Sequence, residues 1–371
     1  IWDSNGNNIA VENWDISTAT LDSIFNVSAQ DTTPQGIFFN SSGTKMYMVG
    51  LNSVIVYSYT LSQAWNTSTA VWDGPSSNLS VLAQDDSPQG IFFNSSGTKM
   101  FMVGSGILTD RVYQYTLSQA WNLSTATWDG PDSNFSIGAH DALAQGIFFN
   151  STGTKMYMVG SQTDRVYQYT LSQAWNTSTA VWDGPGSNLS ITAQDTNPQG
   201  IFINSSGTKM YMTGFSNSRV YSYTLSQAWN TSTAVWDGPG SNLSVTNQDI
   251  SPIGIFFSST GTKMFMVGSQ TDRVYQYTLS SPIFSLISGT SNSTSWNFTF
   301  SATGTYKWNA NTCDTANNCA FNSTNYTITI SSAPKWFSNS TNGTSAGTFI
   351  QHSVNWTDET ALSGYIFSFN N

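Results

Sequence analysis

Residues 34–50 read PQGIFFNSSGTKMYMVG, and this stretch decides the fold. Its first half, Gly36-Ile37-Phe38-Phe39, is a short apolar run that stops at Asn40-Ser41-Ser42-Gly43-Thr44. A polar cluster with a glycine available for a left-handed position is a hairpin signal. The second half alternates at period two, which puts Met46 and Met48 on one side of a strand and Tyr47 on the other. The block returns with its glycine at Gly36, Gly90, Gly146, Gly200 and Gly254, at spacings of 54, 56, 54 and 54. All ten Met fall inside it, two per copy.

Outward from the block, each copy adds a polar turn and a second alternating run such as Val112-Tyr113-Gln114-Tyr115-Thr116-Leu117. A fourth strand is expected in either Thr-Ala-Val-Trp-Asp or Asn-Leu-Ser-Val. Three or four antiparallel strands in a unit of about 54 residues is the pattern of a β-propeller blade. The phase of the repeat predicts closure. Residues 14–28 (WDISTATLDSIFNVS) align with 121–136 (WNLSTATWDGPDSNFS), so they form a fourth-strand segment with no first three strands before it. Residues 254–280 are first three strands with no fourth after them. Pairing the two makes five complete blades over 14–280, behind a lead segment at 1–13, and removes an exposed sheet edge.

The pattern P-x-G-I-x-F-x-x-x-G-x-K-M-Y-M-V resembles the YVTN and NHL types of propeller repeat over about residues 30–280. The resemblance implies the propeller fold and almost nothing about activity. The unit is longer than typical members through an insertion around Trp-Asp-Gly-Pro, present at Trp72, Trp128, Trp182 and Trp236; the N-terminal copy has Leu21-Asp22 instead.

Composition sets the class. Charged residues are 9% of 371, against roughly 25% in ordinary chains. Aromatics are 14%, and the formal net charge is −10. Such a chain has the apolar mass for a large core. Its charge disfavours nucleic acid and anionic membrane surfaces. No apolar run reaches about 18 residues, so no membrane-spanning helix is expected in this segment. The chain opens on Ile1, and the expectation is a processed product or a segment of a longer protein.

Solubility must come from elsewhere. Ser and Thr number 103, Asn 34, and there are 20 Asn-x-Ser/Thr sequons. Covalent N-glycans are therefore expected, and with them export to an extracellular or cell-surface location. Within the blades the sequons fall at three places. One is the first hairpin (Asn40, Asn94, Asn150, Asn204). One follows the repeat Trp (Asn66, Asn122, Asn176, Asn230). One precedes the last strand (Asn26, Asn78, Asn134, Asn188, Asn242). Seven more lie beyond, at Asn292, Asn297, Asn322, Asn325, Asn339, Asn342 and Asn355. The alternative is that Asn-Ser-Ser and Asn-Thr-Ser are turn residues only.

The repeat stops at Ser280. The strand-rich segment 281–332 contains GTYKWNANTCDTANNCAFNSTNYTIT (304–329), which resembles the last strands of Ig-like modules in archaeal cell-surface proteins. Residues 333–371 resemble the first strands of the same module type. Neither half is long enough for an Ig sandwich, while together they approach the roughly 100 residues of one. The 333–371 half is expected to complete the 281–332 half of the next copy, covalently or by strand donation. A heterologous contact of that kind does not close and yields a filament. Cys313 and Cys319, the only cysteines, are expected to form a disulfide in an exported chain, since two thiols with no nearby His are an incomplete metal set.

Chemistry is hard to find. His140 takes the place that Gln30, Gln84 and Gln194 hold in other copies, and His352 lies in another segment. No catalytic residue, metal or other cofactor is assigned. Asp31, Asp85, Asp141, Asp195 and Asp249 would suit a cation-binding ring around the axis. Asp73, Asp129, Asp183 and Asp237 form a second set. Turn capping is the alternative for both. Trp65, Trp121, Trp175 and Trp229, with Tyr113, Tyr115, Tyr167 and Tyr169, could stack on sugars or pack between blades. The sameness of the copies argues against an enzyme. The expected function is an extracellular glycosylated structural protein, assembling with other copies of itself head-to-tail into a surface filament or layer. The alternative is a carbohydrate-binding adhesin on an Ig-like stalk.

Overall fold

The computed structural model describes residues 14–106 and 110–279, and the strand backbone of 283–285, 291–298, 304–314, 319–321, 326–330, 350–357 and 362–370. The lead segment 1–13 lies outside the described residues. The chain divides into two units, 12–280 and 1–11 with 281–371.

The first unit is a five-bladed β-propeller. In blade 1 the strands Pro34–Phe39, Lys45–Gly50, Ile55–Leu61 and Ala70–Trp72 form an antiparallel sheet in that order. Phe38 lies opposite Tyr47, Tyr47 opposite Ser58, and Tyr59 opposite Trp72. Blades 2 to 4 repeat this arrangement, and blade 5 joins Pro252–Phe257, Lys263–Gly268 and Arg273–Leu279 to the N-terminal strand Ala19–Asn26. The five inner strands neighbour one another in ring order, with Pro252–Phe257 against Pro34–Phe39.

Each blade packs on a neighbour through both faces, so period-two alternation no longer separates inside from outside. Met46, Tyr47 and Met48 are all completely buried although they point to opposite faces. This is why the repeats can be so poor in charge. At the axis the inner strands come close enough to need glycine. A Cβ on Gly36 would lie 3.0 Å from the Gly90 Cα, and one on Gly254 would lie 2.5 Å from the Gln35 carbonyl oxygen. The five glycines thus form a narrow backbone waist.

The outermost strand uses both segments proposed for it. Ala70–Trp72 and Leu79–Ser80 each pair with Ile55–Leu61, separated by a 3-10 turn at Pro75–Ser77. Gly74 enters that turn at φ +91°, so the Trp-Asp-Gly-Pro insertion arches out of the sheet and returns. Blade 5 lacks the insertion, and its outer strand runs on with only an irregularity between Leu21 and Ser23. Among the described residues the helical elements are short 3-10 turns.

In the second unit, Ser291–Phe298 pairs with Ile350–Thr357. Gly304–Asp314 is flanked by Leu362–Asn370 on one side and by Cys319–Phe321 and Tyr326–Ile330 on the other, and Ile283–Ser285 adds to Leu362–Asn370. The two segments expected to meet between copies therefore meet here within one chain. An open strand edge takes the first complementary strand available, and closing a loop inside a chain costs little as loop length grows. Sandwich packing of these sheets lies outside the described residues. Cys313 stands opposite Cys319 in the register. Directly opposed residues have Cα atoms about 4.5–5.5 Å apart, inside the range a disulfide needs.

Candidate functional site

The site is built by the hairpin after each inner strand. Gly43, at φ +69°, accepts a 2.9 Å hydrogen bond at its carbonyl from the Trp65 backbone N–H. Trp65 is itself held at φ +61°, and Trp121, Trp175 and Trp229 at +66°, +62° and +64°. A bulky residue in this region is strained and persists only where its surroundings enforce it. Glycine is needed here for space as well, since a Cβ on Gly43 would lie 2.3 Å from the Trp65 ring. Trp14 enters the equivalent place in blade 5 from the N-terminal segment.

These five Trp and the five residues Phe38, Phe92, Phe148, Phe202 and Phe256 line a cavity of about 250 Å³ on one face of the propeller. Ser41, Ser95, Ser151, Ser205 and Ser259 stand at its rim with Asn40, Asn94 and Asn150. The glycine waist lies two residues behind each Phe, so the cavity is a bowl with a narrow floor. The Phe centroids follow one another at 5.1, 5.1, 5.3, 5.4 and 5.0 Å around the ring. Each Trp reaches across a blade seam: Trp121 stacks on Phe38 at 6.3 Å, Trp175 on Phe92 at 6.3 Å, Trp14 on Phe202 at 6.1 Å and Trp65 on Phe256 at 6.4 Å. The repeat Trp thus packs between blades and lines the bowl with the same ring.

The seam is reinforced from below. The Tyr47 hydroxyl donates to the Trp121 carbonyl at 2.6 Å, Tyr157 to that of Trp229 at 2.7 Å, and Tyr211 to that of Trp14. Blades 2 and 5 have Phe101 and Phe265 at this position, which offer no hydroxyl to Trp175 and Trp65.

Charge is compensated beside the bowl. Lys45, Lys99, Lys155 and Lys209 pair with Asp73, Asp129, Asp183 and Asp237 at 2.7–2.9 Å, and Lys263 pairs with Asp22. Burial pushes each carboxyl up. The ammonium, with hydroxyl or amide donors, more than offsets this and holds all five below the usual carboxylate range. The second Asp set is therefore a set of blade ties. Asp15 takes the place of the sequon Asn next to the repeat Trp in blade 5; it is exposed and caps the turn at Ile16–Thr18 through Ser17.

Other candidates are corrected by their surroundings. The ring of Asp31, Asp85, Asp141, Asp195 and Asp249 does not form around the axis. Each is 1–3% exposed and spent on loops of its own blade: Asp31 accepts from the backbone N–H of Thr33 at 2.6 Å and of Ser53 at 2.7 Å. Among the described residues no three His, Cys, Asp or Glu side chains converge as a metal site. Tyr113, Tyr115, Tyr167 and Tyr169 are 0–4% exposed and cannot present a face to a sugar. His140 does what Gln does elsewhere. Its Nδ1 meets the Tyr169 hydroxyl at 3.1 Å, as the Gln84 Oε1 meets Tyr115 at 3.2 Å, and burial lowers its pKa.

The sequons separate into classes. Asn40, Asn94, Asn150 and Asn204 are 2–7% exposed. Their Oδ1 accepts from two backbone N–H groups across the hairpin, Thr44 and Lys45 in blade 1, and the Asn40 Nδ2 donates to the Thr44 hydroxyl. They serve as turn residues, with the Nδ2 that would bear a sugar hydrogen-bonded within the hairpin in Asn40, Asn94 and Asn150. Asn66, Asn122, Asn176 and Asn230 are half-buried caps of 3-10 turns. Asn78, Asn134, Asn188 and Asn242 are half-buried, each accepting at Oδ1 from a Trp indole N–H at 3.0–3.1 Å, and Asn26 is exposed. Asn292, Asn297 and Asn355 lie on paired strands, while Asn322, Asn325, Asn339 and Asn342 fall outside the described residues.

The inner Phe and Asp15 were not singled out by the sequence. Phe38 and Phe39 are adjacent and alike, and only the ring shows which one faces the axis. The substitution of Asp15 for Asn was visible in the alignment of copies.

No family model and no curated protein matches the chain. Among solved structures, a functionally unknown protein from Desulfotomaculum acetoxidans is similar at 10% identity, over 63% of this chain and 62% of that one, with a TM-score of 0.39. The β-propeller domain of Cps50 (Swd1) from Myceliophteria thermophila matches at 8% identity, over 71% and 100%, with a TM-score of 0.39. A luciferin-regenerating enzyme matches at 12% identity, over 69% and 95%, with a TM-score of 0.42. The chain thus spans less than two thirds of the first of these. Likeness this distant brings no activity with it.

Proposed function

We propose that the protein is an extracellular, N-glycosylated structural component whose copies join head-to-tail through the segments after the propeller, forming a surface filament or layer. The observation that carries this reading is the strand complementarity of those segments. Ser291–Phe298 meets Ile350–Thr357 over eight consecutive pairs, and Gly304–Asp314 meets Leu362–Asn370 over eight more. Pairs that close within a chain close equally well between chains by exchange of the identical element. Half-buried and exposed sequons on every blade support a surface solvated by sugar rather than by charge. The near-identity of the blades supports a non-enzymatic role.

Electron microscopy of native material tests this. The expected result is a filament or layer with one propeller per repeat and residues 350–370 of each copy paired with 291–314 of its neighbour. Isolated monomers would overturn it.

A carbohydrate-binding adhesin is the second reading. The aromatic bowl favours it: the Trp rings supply apolar faces and indole N–H donors, and Ser and Asn side chains share the lining. Saturable binding on a glycan array would promote it.

A further inference from the structure

We propose that the glycine waist of the propeller is a binding site for an alkali metal cation, held on the axis by backbone carbonyl oxygens. The inference is independent of the assembly reading, since it rests on the propeller alone.

The first argument is backbone geometry. Every inner strand carries an irregularity at the same place, between Pro34 and Ile37 in blade 1 and at the equivalent residues of the other blades. A bulge of this kind withdraws backbone groups from the ladder. The Gly200 N–H turns to its own blade, where it donates to the Thr213 hydroxyl at 2.7 Å. The trans peptide then sends the Gln199 carbonyl the opposite way, out of the strand edge that faces the axis. Its oxygen would lie 2.7 Å from a Cβ on Gly146 of the preceding blade. The carbonyl oxygens of Gln35, Gln89, Gln145 and Ile253 make the same approach, at 2.5, 3.0, 3.1 and 2.4 Å from a Cβ on Gly254, Gly36, Gly90 and Gly200. Five carbonyls thus ring the waist.

The second argument is hydrogen-bond satisfaction. Thr213 donates its hydroxyl across the seam to the Ile253 carbonyl at 2.5 Å. Its equivalents at the other seams are Val49, Val103, Val159 and Val267, which have nothing to donate. A buried carbonyl without a donor is costly. The waist encloses a cavity of about 30 Å³ lined by Gln, Gly and Ile of the inner strands, room for one water or one ion. Water matches it poorly. One water donates to only two oxygens, and its own lone pairs need donors. The amide N–H groups of Gln89, Gln145 and Gln199 are directed instead at Ser87 and Ser105, Ser161 and Asn197 of their own blades. A cation takes several carbonyl oxygens at once.

The third argument is charge. The lining holds no Lys or Arg and no carboxylate. Neutral oxygens alone suit a monovalent ion, whereas protein sites for Ca²⁺ and Mg²⁺ recruit carboxylates. Buried Asp31 lies against Gly50, the partner of Pro34 at the head of the inner strand, and Asp85, Asp141, Asp195 and Asp249 lie against the equivalent glycines. Their oxygens accept from loop N–H groups of their own blades, so they supply field rather than ligands.

Thermal melts of the full chain test this, with KCl or NaCl titrated against N-methylglucamine chloride at constant ionic strength. The expected result is a melting temperature that rises by a few degrees for each tenfold increase of K⁺ or Na⁺ above its dissociation constant. Melts that do not respond to the exchange of cations would overturn the proposal. Crystals soaked in rubidium chloride should show an anomalous peak on the axis within the glycine ring; an ordered water there would overturn it. Val159→Thr offers the Gln199 carbonyl the hydroxyl that Thr213 gives Ile253, and should weaken cation affinity about two- to tenfold. Thr213→Val releases the Ile253 carbonyl and should strengthen affinity by a similar factor. Each variant is compared with itself across the salts, so a change in its basal stability does not enter. Unchanged cation affinity in both variants would refute the carbonyl ring as the ligand set.

Discussion

The Gln276 side-chain oxygen accepts hydrogen bonds from both the backbone N–H and the hydroxyl of Thr67, at 2.8 and 3.0 Å, joining blade 5 to blade 1 at a fully buried seam. The same bridge links Gln114 to Thr177 and Gln168 to Thr231. At the two remaining seams both partners change together. Ser58 and Ser222 replace Gln, and Leu123 and Ile16, 0–1% exposed, replace Thr on the next blade. Polar meets polar or apolar takes over the position, because a buried amide or hydroxyl without a partner costs about 1–3 kcal/mol.

This pairing predicts a double-mutant cycle. Ser58→Gln alone and Leu123→Thr alone should each lower stability by about 1–3 kcal/mol. The double variant should recover much of that loss, with a coupling of about 1–2 kcal/mol in denaturant unfolding. Additive losses would refute the assignment of these positions to one seam.

The sequon classes predict uneven occupancy. Glycopeptide mass spectrometry should find sugar at Asn26, at the Asn66 class and at the Asn78 class, and none at Asn40, Asn94, Asn150 or Asn204. Sugar on Asn204, which is 2% exposed, would contradict its place in the hairpin. Asn204→Ala should cost about 1–3 kcal/mol, because the backbone N–H groups of Thr208 and Lys209 lose their acceptor.

The five Lys–Asp ties predict acid sensitivity. Their carboxyls have folded pKa values below the unfolded one. Their contribution is therefore complete above an unfolded pKa of about 3.9 and disappears as pH falls through the lower folded values. Thermal melts should show little loss from these groups between neutral pH and about 5, and a steep loss below about pH 4.

Asp164 behaves oppositely. Burial and the carboxylates of Asp141 and Asp195 raise its pKa, and it sits at φ +53°. Asn tolerates that backbone and carries no charge. Half-buried Asp164 keeps solvent screening, so Asp164→Asn should raise stability at neutral pH by only a few tenths of a kcal/mol, and the gain should vanish in acid as the aspartate protonates. A gain that persists at low pH would refute the repulsion.

Gly153→Ala should disrupt the bowl. A Cβ there would fall 2.2 Å from the Trp175 ring, at a backbone φ of +70°. The expected cost is about 1–3 kcal/mol, with a change in Trp fluorescence that a remote destabilisation would not cause.

The repeat itself determined much of this. Five copies of a hairpin signal with period-two strands dictate antiparallel sheets, and the offset of residues 14–28 dictates that the N-terminal strand, Ala19–Asn26, completes the last blade. These are local properties, set by turn chemistry and by side-chain alternation along a strand. Tertiary structure decided what each repeated residue faces. Asn40 and Asn66 sit in equally good sequons, yet hairpin geometry buries one and leaves the other half-exposed. Asp31 and Asp73 are both turn acids, yet one anchors a loop and the other a lysine. Phe38 and Phe39 are neighbours of one type, and only closure of the ring turns Phe38 into the wall of a bowl. Sequence spacing fixes the side of a strand, whereas burial, partners and cavities come from strands about 54 residues away, which no local pattern specifies.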